Sequence, residues 1–213
     1  MQQVPFSYET ISGCRSLTHF ANAIDLSDNW PLHINDKDQM DVSGLLTWAQ
    51  AYLRGAELLH FEASGDYQTA FYSGPVIQGI GLATELTLKT MLRGAGKTQK
   101  ELREFRHNTY NAYIASRVSF DEVRFINLHL SNTAHLKVPD EVRGRLIEHG
   151  ENDIETRWRV YFDHLRVLDT IYASPYKSRY VVPGSISLPN SEVILVGTKI
   201  LLSAMSERIT STS

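Results

Sequence analysis

From Asp41 onward the apolar residues recur at the three- and four-residue spacing of an amphipathic helix. Val42, Leu45, Leu46, Ala49, Tyr52 and Leu53 lead on to Ala56 and Leu59, which predicts a helix with Asp41 as its N-cap. A second helix is predicted over 66–92. Its apolar positions, among them Val76, Ile77, Ile80, Ala83, Leu88 and Met91, cover more than one stripe and so mark a central helix buried on several sides. Gly74-Pro75 predicts a kink within it, because proline removes a backbone donor and clashes with the preceding turn. Gly94 and Gly96 predict its end. Thr98 is the expected cap of a short helix to Phe105, with a turn at His107-Asn108 and more helix to about Ser116.

Shorter helices are expected around 120–130 and 139–149. From Asp153 to Tyr172, Ile154, Trp158, Tyr161, Leu165, Leu168 and Ile171 share a face, so one continuous helix is expected there. Pro175, Pro183, Gly184 and Pro189 mark 173–190 as a loop, and a last apolar helix opens at Asn190 or Ser191. The pattern therefore predicts an all-α fold: an antiparallel helical bundle over 41–180, an irregular and polar N-terminal extension over 1–40, and a loop with an added C-terminal helix over 181–213.

Composition narrows the function classes. At 213 residues, 42% apolar and 21% charged, the chain matches an ordinary globular protein able to bury a sizeable core. A formal net charge of −3 argues against a surface coated in basic residues. The charge is unevenly spread, however. Residues 1–66 hold nine acids against Arg15, Lys37 and Arg54, which leaves the remainder net basic. One cysteine, Cys14, excludes an intramolecular disulfide. The first residues lack a signal-peptide pattern and no stretch is long and apolar enough for a span, so no membrane and a cytoplasmic location are the expectations.

Two glycine patterns imitate nucleotide motifs. Gly94-Ala-Gly-Lys-Thr98 resembles the end of a P-loop, but Met91 stands where the first glycine belongs and a helix precedes it. Gly79-Ile-Gly81 lies inside a helix and is expected to permit close packing. None of the eight histidines forms an i, i+4 pair, so no metal and no cofactor are expected.

Glu85 and Lys89 stand at i, i+4 on the central helix, which is otherwise almost wholly apolar, and both would be costly to bury unpaired. His107 and Arg179 are candidates to complete that polar cluster, either as a network fixing the bundle's register or as a pocket accepting a phosphate or nucleotide. Together with the proline-bearing helix, the glycine-bearing helix end, His107-Asn108 opening the next helix and Tyr176-Lys-Ser-Arg179-Tyr180, this order of features resembles the HEPN superfamily of helical domains. The likeness covers roughly 41–180.

Many members of that superfamily are metal-independent endoribonucleases whose motif is an arginine and a histidine with four to six residues between them, often paired across a homodimer. The resemblance therefore implies RNA or a nucleotide as ligand, and an antitoxin or other protein partner in a toxin or defence system. Arg157 and His164 fit the motif with six intervening residues, Arg159 and His164 with four. On one continuous helix Arg157 and His164 would point within about 20° of each other, and Arg159 would diverge. Arg157 as phosphate clamp and His164 as acid/base are then the candidate catalytic pair, with Arg159 and Tyr161 accessory. Trp158 and Val160 follow the arginines where relatives place a polar residue. The alternatives are a non-catalytic module binding a nucleotide or partner through the polar cluster, and a dimerisation domain using the last helix. Basic stretches at 93–107 and 157–179 offer local phosphate contacts.

Overall fold

A computed structural model describes residues 39–63, 69–173 and 188–212, and among these it is all helical, with no strand. The helices are α1 (Gln39–Ala63), α2 (Thr69–Gly94), α3 (Gln99–Glu104), α4 (Thr109–Ser116), α5 (Glu122–Asn132), α6 (Asp140–Glu148), α7 (Ile154–Trp158), α8 (Tyr161–Tyr172) and α9 (Ser191–Thr212), with a 3-10 turn at Arg117–Ser119. The predicted fold class is thus observed. Helix α1 begins at Gln39, so Asp41 lies inside it and is not its cap. The N-terminal extension and Arg179 lie outside the described residues.

Helix α2 is the centre, as its all-round apolarity predicts. Ile80, Ala83, Leu88 and Met91 are fully buried, and α1, α4, α8 and α9 all pack on it. Helix α9 runs antiparallel to α1, since Gln50 reaches Ser206 and Glu57 reaches Lys199. Its apolar residues, including Val193, Ile194, Ile200 and Met205, are buried in the same core, which leaves them no part in an external interface. Beside it, Tyr113, Phe120, Phe125, Tyr161 and His129 form a cluster of edge and tilted ring contacts at 5.4–6.2 Å.

The glycine-rich segments are structural. Gly96 takes φ +93° just past the end of α2, and Thr98 opens α3 with a reciprocal capping box to Glu101. Gly79 approaches Ala56, and a Cβ added at Gly81 would lie 2.4 Å from the Tyr172 ring. Gly197 is tighter: a Cβ there would lie 2.3 Å from Tyr161, whose ring is buried. Gly197→Ala is therefore expected to cost about 1–3 kcal/mol net of its gain in helix propensity. Gly55→Ala, with no neighbour in reach of the new methyl, should instead be neutral or stabilise by up to about 1 kcal/mol. Urea denaturation of the two variants checks the contrast. Equal stabilisation by both would contradict the packing at Gly197.

Candidate functional site

The polar cluster forms around Glu85, which is 5% exposed. Its Oε1 accepts from Lys89 Nζ at 2.7 Å, and its Oε2 accepts from Tyr172 Oη at 2.6 Å and from His107 Nδ1 at 2.9 Å. Burial works against the carboxylate's charge, but the hydrogen bonds from Lys89, Tyr172 and His107 together hold its pKa below the ordinary value. Lys89 also donates to the Arg106 carbonyl at 2.8 Å. That bond pins a turn in which Arg106 adopts φ +49°, unusual for a residue with a side chain. Beside it, Asp169 accepts from the Thr109 and Tyr110 backbone N–H groups and from the Thr109 hydroxyl, satisfying the start of α4. Burial nonetheless raises the Asp169 pKa. Glu85, Lys89 and His107 are thus brought together as the spacing suggested.

The segment carrying Arg157 and His164 departs from expectation. It is not one helix: α7 stops at Trp158, and Val160 is extended (φ −66°, ψ 115°) before α8 begins. The break changes every angular relation between Arg157 and His164. Arg157 folds back onto Asp163 and also approaches Glu151 at 3.5 Å. His164 is 8% exposed and both ring nitrogens are engaged. Nδ1 accepts from the Asn190 N–H at 3.1 Å, so Nε2 carries the proton and donates to the Trp158 carbonyl at 2.6 Å. Burial lowers the histidine's pKa despite that carbonyl and Asp163, which favour the charged form. The ring therefore satisfies the carbonyl freed by the helix break and ties α8 to Asn190, whose own side chain caps α9 by accepting from Val193 N–H.

The accessory residues are placed elsewhere. Tyr161 is a core residue, its hydroxyl 3.0 Å from Thr198 Oγ1, which in turn meets Thr84 Oγ1 at 2.8 Å. Arg159 is largely buried and donates to the Ala134 carbonyl at 3.3 Å, with Glu155 4.0 Å away. Arg157 and His164 do border a common cleft of about 510 Å³, but Tyr161 and Arg159 do not line it.

A second surface carries a group of exposed cations. Lys100 and Arg103 on α3, and Arg106 on the pinned turn, are exposed, and none has an acidic partner among the described residues. Arg166 on α8 lies 5.5 Å above the Tyr110 ring at the start of α4.

Sequence reasoning missed two residues of α8: Tyr172, which joins the buried Glu85 network, and Asp169, which holds the start of α4 beside it. The signal was present but faint: Gly81 stands one turn before Glu85, and that missing side chain makes room for the Tyr172 ring. No described helix is long and apolar enough to cross a membrane. No family model, curated protein or solved structure matches this chain.

Proposed function

We propose that the chain is an HEPN-like helical module that binds RNA through the basic turn between α3 and α4, without cleaving it. The observation that carries this reading is the exposed trio of Lys100 and Arg103 on α3 and Arg106 on the turn that follows, without an acidic partner among the described residues, the turn being fixed from beneath by the Glu85–Lys89 network. Exposed cations outside ion pairs are what phosphate contacts need, since each releases condensed counterions from the nucleic acid. The commitment of both His164 nitrogens to backbone groups favours binding over catalysis, because a general base needs a free nitrogen within reach of the ribose hydroxyl.

Fluorescence anisotropy with a labelled single-stranded RNA, at several salt concentrations, tests the reading. The wild type is expected to bind with a salt-dependent Kd. The Arg103→Glu/Arg106→Glu double variant, with its helix content checked by circular dichroism, should bind at least about tenfold more weakly, with a salt slope shallower by roughly two. Unchanged affinity in that variant would remove the basic turn from the interface. In parallel, the RNA should stay intact in the presence of EDTA. Degradation by the wild type but not by Arg157→Ala, a change that leaves the His164 brace in place, would replace this reading with the catalytic one.

A further inference from the structure

The cleft of about 510 Å³ between α6, α7, α8 and the chain entering α9 has the size of a small-molecule site. Its wall is apolar: Val142 and Leu146 from α6, Val167 from α8, and Leu188 and Pro189 before α9. Leu188 is 53% exposed, so the cleft keeps apolar surface open to water. Trp158, half-buried and edge-on to His164 at 5.8 Å, supplies an aromatic face.

The charges of the cleft are sorted. Arg157 is already closed on Asp163 and Glu151, and His164 is held neutral by its two backbone bonds. Arg145 and His149, one turn apart at the end of α6, are exposed on the rim. Among the described residues the Arg145 guanidinium meets only its own helix, at the Glu141 carbonyl and a long 3.4 Å, and His149 has no acidic partner. One unneutralised guanidinium and a neighbouring imidazole suit a single negative charge. Among the described residues the cleft has no convergent set of unpaired cations of the kind that would hold a phosphate dianion.

We propose that this cleft binds a small aromatic carboxylate, with its ring between Trp158 and the apolar wall and its carboxylate on Arg145 and His149. The site draws on none of the residues of the RNA-binding reading and stands independently of it. Calorimetric titration of the full chain with 2-naphthoate and its neutral amide, 2-naphthamide, tests it. Saturable binding of the acid is expected, with the amide at least about tenfold weaker. Arg145→Glu, a change at an exposed position, should weaken the acid by a similar factor and leave the amide unaffected. Val142→Trp, which fills the cleft, should abolish binding of both. The proposal is overturned by absence of saturable naphthoate binding, by equal binding of acid and amide, or by an Arg145→Glu variant, folded by circular dichroism, that binds the acid like the wild type.

Discussion

Glu85→Ala is expected to lower the stability of the fold by about 3–5 kcal/mol, the cost of removing one partner from a buried ion pair. Among the described residues the carboxylate holds three donors from three parts of the chain: Lys89 one turn along α2, His107 on the turn before α4, and Tyr172 at the end of α8. Removing it leaves a largely buried ammonium, whose side chain is 15% exposed, without its counter-charge, and takes a carboxylate acceptor from the Tyr172 hydroxyl. Glu85→Gln should cost less, since the amide keeps an acceptor oxygen and the volume while losing the charge. The Glu85→Ala/Lys89→Ala pair should cost less than the sum of the two single changes, because the double variant buries no lone charge. Denaturant titration of the four variants beside the wild type reads this directly. A loss below about 1 kcal/mol for Glu85→Ala, or strict additivity with Lys89→Ala, would show that the network carries little of the stability. The same change also releases the Arg106 turn, so under the RNA-binding reading it should weaken RNA affinity without removing any contact to RNA.

The helices were legible because burial writes itself into periodicity. Helix α2, packed on several sides, is apolar on more than one stripe, and Gly96 and Thr98 announce its end and the next beginning. Glu85 and Lys89 were legible for the opposite reason: a charge pair in an apolar helix demands partners. What the spacing could not reveal is the break at Arg159-Val160. The apolar residues on either side keep helical spacing across it, and a β-branched valine is tolerated in helices. The break shows itself only in three dimensions. On a continuous helix Arg157 and Asp163 would point about 120° apart, yet they pair, and the Trp158 carbonyl finds the His164 ring in place of a backbone N–H. An arginine and a histidine at motif spacing thus become, in one case, a rim ion pair and, in the other, a brace. The cleft was not legible for a related reason, since its wall is assembled from α6, α7, α8 and the approach to α9, whose mutual placement follows from the breaks between them and not from spacing within any one helix.

Acidification should destabilise the fold well before its carboxylates titrate. His129, 1% exposed on α5, has its pKa lowered to about 4, chiefly by burial, with the Val193 carbonyl bond at 2.9 Å opposing the shift. The sign follows from the proton count. Below the ordinary histidine pKa of about 6.5 the unfolded chain takes up a proton that the folded chain refuses, so stability is full above 6.5 and is lost as pH falls toward 4. For His129 alone that loss is about 2 kcal/mol by pH 5 and about 3 kcal/mol by pH 4. The lowered pKa of His164 acts in the same window and the same direction. Glu85, also lowered, adds to the loss only below its ordinary carboxylate range, whereas Asp169, raised by burial, takes up its proton more readily folded than unfolded and so opposes the loss just above its ordinary pKa. Denaturation midpoints at pH 7.5, 6 and 5 should therefore fall steadily for the wild type. His129→Gln keeps a donor for the Val193 carbonyl but cannot titrate, so its midpoints should fall less steeply, with His164 as the remaining cause. A flat wild-type profile down to pH 5, or the same slope in the glutamine variant, would mean that His129 accepts its proton in the folded state at near its ordinary pKa.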